Sequence, residues 1–404
     1  MKRKLSLCIL SALGILCFSC EKESEGFSLL TIMVEENAIN EGQEQWVYIS
    51  EPSGKVLDSH KCKNGEVFEL KGPVAIEAID VTRYIHNSGG SRFSSASSFL
   101  GINTGQTLII GAQDVYQPAE VIGTATITIV NYHESISPGQ TIKFSFATSG
   151  PPISSHAVSE TRLLATVNLF KNPQELLMTG FRGGQRVYLK VAAMLPDENL
   201  VIDFDSFQEY DQIIEIPAEF HENGRTIGFY DDGRGYLLSD GYDSFLYGNE
   251  TSLGYIQGYD SYSTKFNEFY GPSFVTYHKF GEPALNVELP SFTLSIVDRT
   301  TEGFSFDASF DYTYKSAQWL YSSADGPTNG LSWTVYGDAE ANVRIPAVAN
   351  IVYKKESGLK IEDFSIYELN CTQRLDGLSY AGFVSNTFEN KSSAEYEYFI
   401  FGSH

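Results

Sequence analysis

The feature that most constrains this chain is the rhythm of its apolar residues. Beyond residue 26 they recur at every second position in short runs, and Gly, Asn, Asp and Pro punctuate the runs. That is the pattern of half-buried strands joined by turns. Helical periodicity is nearly absent. The clearest local candidate for a helix is residues 161–168, and its Arg-Leu-Leu-Ala-Thr-Val reads equally well as a strand. The 24 Tyr and 27 Phe point the same way, because rings suit a pleated, half-buried surface. At roughly 100–200 residues per domain, 404 residues predict two or three domains. The expectation is an all-β chain of two or three tandem antiparallel β-sandwich domains.

Three units are expected. In 27–116, Gln45-Trp-Val-Tyr-Ile-Ser50 alternates, Pro52-Ser-Gly-Lys55 turns, and Asn64-Gly65 signals a hairpin, since Asn-Gly accepts the positive φ angles of a type I′ turn. In 117–283, Gly123–Val130 is an alternating strand, Arg186–Ala192 follows a Gly-Gly turn, and residues 200–204 are expected to pair with it. The stretch 229–280, dense in Tyr and Gly, reads as successive hairpins with aromatic pairs. In 284–404, Phe292–Val297, Gly303–Asp311 and Tyr396–Phe401 alternate. Trp333–Gly337 and Val343–Val348 suggest an edge strand that ends at Pro346. The terminal aromatic strand is expected to dock into a sheet.

The amino terminus carries a different signal. Lys2, Arg3 and Lys4 precede an apolar run from Leu5 to Phe18, interrupted only by Ser6, Ser11 and Gly14. The run is shorter than the roughly 20 residues that span a bilayer and fits the apolar core of a secretion signal. An ordinary secretory signal and a single membrane anchor are the alternatives. Cys17-Phe18-Ser19-Cys20, followed by Glu21-Lys-Glu-Ser-Glu25, resembles a lipobox. It departs from the usual pattern at Cys17, where Leu is commonest, and at the bulky Phe18. The loose form ending in Ser-Cys resembles lipoproteins of the Bacteroidota. The resemblance implies a cleaved lipoprotein signal peptide (1–19), lipid on Cys20, and an acidic tether (20–26). It also implies residence in the outer membrane, from Glu21 after the Cys, and at the cell surface, from the acidic cluster. The series from Trp46 through the Asn64-Gly65 turn to Leu70 is similar to carboxypeptidase-regulatory-like, transthyretin-like and immunoglobulin-like sandwich modules of uncharacterised Bacteroidota envelope proteins, which are usually non-catalytic.

The formal net charge is −23. A body this acidic repels phosphate, so nucleic acid is excluded as a partner class. Of the five Cys, cleavage removes Cys8 and Cys17 and lipid occupies Cys20. Cys62 and Cys371 remain, in different expected units, and read as reduced core residues rather than a disulfide.

No catalytic motif is complete. Gly377-Leu-Ser379-Tyr-Ala381 approaches a nucleophile elbow, but Ala381 stands where the second glycine is needed and no helical pattern follows, so Ser379 reads as a turn serine. His133-Glu134 and His221-Glu222 lack the second His four residues on. The carboxylate pairs Asp203/Asp205, Asp307/Asp311 and Glu395/Glu397 have the spacing of one strand face, whereas glycosidic chemistry needs two acids across a cleft. Asp231, Asp232, Asp240 and Asp243 place oxygen donors around glycines, the ingredients of a Ca²⁺ loop, or form acidic hairpin turns. Tyr236, Tyr242, Tyr247 and Tyr259 are candidate rings for ligand binding, or else cross-strand pairs that hold small sheets. Trp319 and Trp333 are further candidate rings, and Trp46 is assigned to a core. The reading is a non-enzymatic surface lipoprotein that binds a glycan or an envelope protein. The alternatives are a two-carboxylate polysaccharide hydrolase and a structural subunit of an envelope complex.

Overall fold

The computed structural model describes residues 26–87, 92–112, 119–134, 137–146, 153–159, 161–215, 224–241, 252–322, 329–353, 359–391 and 394–404. The signal segment, Cys20, His221, Tyr242, Asp243 and Tyr247 lie outside them. The described residues are mainly β-strand, as the alternation predicts.

Twelve described strands, numbered in chain order, form one sheet. From one edge they run β18 (Gly235–Asp240), β17 (Arg225–Phe229), β20 (Ser261–Tyr270), β21 (Ser273–Gly281), β27 (Tyr396–Ser403), β26 (Ser365–Arg374), β24 (Tyr314–Ser322), β25 (Asn329–Asp338), β6 (Arg92–Asn103), β5 (Ala78–Asn87), β2 (Gln43–Ser50) and β3 (Val56–Lys61). Each expected unit supplies four strands. The middle and last blocks join through β21 and β27, antiparallel from Ser273 opposite Ser403 to Phe280 opposite Tyr396. The last and first blocks join through β25 and β6, parallel from Asn329 opposite Arg92 to Tyr336 opposite Phe99. Segments 27–116 and 284–404 thus share one sheet. The carboxy-terminal strand sits at its centre, which ties the chain end down as expected.

One face of this sheet is the main core. Trp46, Tyr84, Ala96, Trp333 and Trp319 fall in a single cross-strand row. Trp319 and Trp333 are fully buried, and the Trp333 indole donates to Ser98 Oγ at 3.0 Å. The hairpin of β22 (Leu294–Asp298) and β23 (Ser305–Ala308) covers the row, with Phe304 edge-on to Trp319 at 5.2 Å. Burying each such ring contributes roughly 1.5–3 kcal/mol. Trp319 and Trp333 are core rather than binding rings, and Trp46 packs against the same core while staying partly exposed, with Lys61 over its ring at 5.5 Å.

The opposite face is covered over the first block by a three-stranded sheet, β4 (Val67–Gly72), β1 (Phe27–Val34) and β7 (Gln106–Ile110), around Ile32, Val47, Ile49, Val81 and Phe99. Eight described strands between Gly123 and Glu209 build a second sandwich. One layer is β10 (Ile153–Ser159), β11 (Arg162–Leu169), β8 (Gly123–Val130) and β14 (Asn199–Asp203). The other is β15 (Gln208–Glu209), β13 (Gln185–Met194), β12 (Gln174–Arg182) and β9 (Lys143–Ser145). A two-stranded ladder pairs β16 (Gln212–Glu215) with β19 (Ser252–Tyr255).

Several local expectations change. The ambiguous residues 161–168 are strand β11. Residues 200–204 pair not with β13 but in parallel with β8. Asn64-Gly65 does turn, with Gly65 at φ +75°, but it links β3 to β4 in different sheets, because β4 pairs with β1. Val343–Val348 is not an edge strand but an irregular segment whose Val343 and Val348 are buried, and β25 is central.

Three α-helices are described: α1 (Pro138–Thr141), α2 (Ala349–Tyr353) and α3 (Tyr380–Glu389). The last is one the apolar pattern did not show. Ser379 is its N-cap, accepting from the Gly382 amide at 3.3 Å, and Asn390 ends it in the left-handed region at φ 54°. Tyr-Ala-Gly-Phe-Val-Ser-Asn-Thr-Phe-Glu is a poor helix former. Packing supplies the stability instead: Val384 and Phe388 enter the core beside Phe99, and the Gly111 amide donates to the Phe388 carbonyl at 2.9 Å. Ser379 is therefore a cap rather than a simple turn serine.

Candidate ligand groove

A cleft of about 1180 Å³ opens where the bulged ends of β5 and β6 face the segment that leaves β25. The ladder between β5 and β6 slips there: Ile79 stands opposite Ile102, but Val81 stands opposite Phe99. Leu100 and Gly101 bulge outward, and Gly101 takes φ +68°, a conformation that suits glycine. Side chains satisfy both bulged amides. Gly101 donates to Asp80 Oδ1 at 3.0 Å, and Leu100 donates to the Tyr380 hydroxyl, which itself donates to the Tyr336 carbonyl at 2.9 Å.

The facing wall begins at Asp338, whose Oδ1 accepts from the amides of Glu340 (3.0 Å) and Ala341 (2.8 Å) and turns the chain out of β25. Lys315 Nζ holds the turn by donating to the Ala339 carbonyl at 2.7 Å. Buried Val343, Val348 and Ala349 pin the segment to the core. Exposed Asn342, Arg344 and Asn350 are left on the wall. The β2–β3 turn closes one end, with Gly54 (φ +87°) so near Ala347 that an added Cβ would lie 2.7 Å from the Ala347 Cβ. Leu100, Ile345, Pro346, Leu359 and Ile361 supply apolar lining, and Glu302, Glu340, Lys360 and Glu362 supply charge. A second hollow of about 730 Å³ shares Thr301, Glu302, Ile361 and Glu362 with the first and extends it past Arg299 toward Phe364. The two form one groove.

Asp80 is the distinctive group in it. It is 6 % exposed, and burial pushes its carboxyl up from 3.8 to about 6, partly offset by the Gly101 amide. Perturbed carboxyls in clefts mark candidate sites. The only hint of it in the sequence is an aspartate between Ile79 and Val81, breaking an otherwise apolar strand segment. Nothing there says that Gly101 or the 338–350 segment meets it.

The residues singled out in the sequence fall elsewhere. Tyr236 is fully buried and Tyr259 is 7 % exposed. They pack with Tyr210, Tyr255 and Tyr262 in a small core, so they are not surface rings. Strand alternation turns Tyr236 inward, and Gly228 leaves room for the Tyr259 ring, 2.6 Å from where a Cβ would stand. Desolvation pushes the Tyr236 hydroxyl up to about 12 and the Tyr259 hydroxyl further up. Of the aspartates, Asp232 is spent on Arg234 Nε (2.6 Å), and Asp231 lies in the same turn, its amide bonded to Asp260 Oδ2 at 2.8 Å. Asp240 lies on β18 opposite Arg225. Among the described residues no group of three or more His, Cys, Asp or Glu is placed to hold a metal ion. The carboxylate pairs are local: Asp203 caps a turn by accepting from the Asp205 amide at 3.0 Å, and Glu397 accepts from Tyr277 at 2.8 Å and pairs with Lys279 at 3.2 Å. Cys62 and Cys371 are buried free thiols. Among the described residues no helix is long and apolar enough to cross a membrane.

No family model and no curated protein matches the chain. Among solved structures, a carbohydrate-binding module from Eubacterium rectale Amy13K (CBMbc, family CBM26, in complex with maltoheptaose) aligns at 13 % identity. The alignment covers 45 % of this chain and 96 % of that one with a TM-score of 0.16, a score at which a shared fold is not shown.

Proposed function

We propose that this chain is a non-enzymatic binding protein of the cell envelope, held at the outer membrane by lipid on Cys20, and that its groove takes an extended polar ligand. The observation that carries the binding role is the continuity of the two hollows. A typical small-molecule pocket measures roughly 300–1,000 Å³, and this groove exceeds it while staying open along its length, the shape of a site for a linear chain. Its first hollow is lined by apolar and charged groups without an aromatic ring among the described residues, so hydrogen bonds and charge dominate recognition there. A glycan array and an affinity pulldown from outer membranes test it. Asn342→Trp and Arg344→Glu, both at exposed wall positions, should abolish whatever the parent chain retains, and equal retention by the variants would place the ligand elsewhere. Acyl label should appear on the chain and vanish in Cys20→Ala, and label that persists there removes the lipid anchor.

Asp80 favours a second reading. A carboxyl held near pKa 6 in a groove lined with further acids is suited to general acid catalysis, as a two-carboxylate hydrolase requires. Shortened products from a retained polymer, lost in Asp80→Asn, would support that reading over simple binding.

A further inference from the structure

Beyond the part covered by β4, β1 and β7, the face of the twelve-stranded sheet opposite its tryptophan row carries partly exposed side chains. Across β17 and most of β20 buried positions alternate with more exposed ones, and cross-strand register places further partly exposed residues of β21, β27 and β26 on the same face. One cross-strand row on it reads Asp240, Arg225, Lys265, His278, Tyr398, Arg374. The next row reads Ile227, Ser263, Phe280, Tyr396.

The cations in the first row differ in their partners. The Arg374 guanidinium is clasped by Asp376 and lies over the Tyr398 ring at 4.8 Å. His278 is held neutral. Burial pushes its pKa down to about 4, and Lys265, Arg225 and Arg374 push the same way, so their fields converge on one spot. Its ring nitrogens meet the Tyr398 hydroxyl at 3.0 Å, the Tyr396 hydroxyl at 3.2 Å and Ser263 Oγ at 3.3 Å. Arg225 and Lys265 stand directly opposite each other on neighbouring strands, with Asp240 opposite Arg225 on its other side. Like charges so placed repel and weaken a sheet. A bound anion would relieve the repulsion between these two cations. Beside them Phe280 and Tyr396 stack at 5.7 Å with 27° between their planes, and Phe229 meets Phe280 edge-on at 5.5 Å.

We propose that this face binds an acidic polysaccharide, with acid groups on Arg225 and Lys265 and sugar rings against Phe280 and Tyr396. Cations alone would suit any anion, whereas the rings in the adjacent row select a ligand with apolar ring faces. Adjacent strands are about 4.8 Å apart, close to the length of one hexopyranose unit, so a chain crossing the strands meets one strand per sugar. The acidic remainder of the surface is screened beyond about 8 Å at physiological salt. A single thin chain is therefore accepted where a duplex is repelled. The proposal concerns a different surface from the groove and stands or falls separately.

The test measures binding of the chain to polygalacturonate, dextran and polyphosphate at low and physiological salt. Polygalacturonate should bind at least about tenfold more tightly than dextran, and Arg225→Glu with Lys265→Glu should lower its affinity by at least about tenfold. Tyr396→Ala should lower polygalacturonate binding about threefold to tenfold while leaving polyphosphate unchanged. The milder pair Arg225→Gln and Lys265→Gln repeats the test if the charge reversal unfolds the sheet. No polygalacturonate binding at low salt, or unchanged affinity in the folded double variant, overturns the proposal. Polyphosphate bound as tightly, with Tyr396→Ala affecting neither polymer, overturns the assignment to a sugar.

Discussion

Replacing Asp80 by Asn should stabilise the protein at neutral pH and do little near pH 4. The folded chain holds the Asp80 proton up to about pH 6, against an ordinary value of 3.8. Between those values the folded state binds more protons than the unfolded state, so stability falls as pH rises through the window and the full cost is present above it. Each pKa unit is worth about 1.4 kcal/mol, so the displacement corresponds to about 3 kcal/mol at pH 7. Asp80 borders an open cleft whose water relaxes part of that cost, and a gain of about 1–3 kcal/mol is the expectation. Asn keeps the oxygen that accepts the Gly101 amide, so the swap removes the charge without orphaning the bulge. Urea unfolding followed by tryptophan fluorescence reads this directly, because Trp319 and Trp333 are buried in the same sheet. The midpoint should rise at pH 7, and the gain should shrink below about 1 kcal/mol at pH 4. An equal shift at both pH values, or a loss at pH 7, would refute burial of a charge as the cause.

Other outcomes follow from the same packing. Tyr380→Phe removes the hydroxyl shared by the Leu100 amide and the Tyr336 carbonyl and should cost about 1–3 kcal/mol in urea unfolding; no loss would mean that water already serves both groups. Gly111→Ala places a Cβ 2.0 Å from the Glu389 carbonyl oxygen, so α3 should lift from β7, with a cost of about 1–3 kcal/mol and faster amide exchange in both elements. The Cys62 and Cys371 thiols are buried and pushed up to about 12 by desolvation; iodoacetamide at pH 8 should leave both peptides unmodified in the native chain and label both in urea, and native labelling of either would show that its cover opens.

The class of fold was legible in the sequence because strand formation is local. Period-two alternation at Gln43–Ser50, Gly123–Val130 and Tyr396–Ser403 specifies which side chains share a face, and each becomes a strand. Turn chemistry was legible for the same reason: Gly54, Gly65 and the Gly183-Gly184 pair all take the positive φ that their composition suggests. Partnership was not legible. Nothing in Asn64-Gly65 says that β3 and β4 belong to different sheets, nor in Trp333–Gly337 that β25 lies parallel to a strand more than two hundred residues earlier. Those pairings follow from which apolar faces can be buried together, a property of the whole chain. The same gap hid the groove and the burial of the candidate rings. Asp80 acquires its raised pKa only when its surroundings close over it, and Tyr236 and Tyr259 become core only because β18 and the residues around β19 fold their inward faces onto Leu177 and Tyr210. Alternation decides that a residue points to one side of its strand; only the packed tertiary structure decides whether that side meets water.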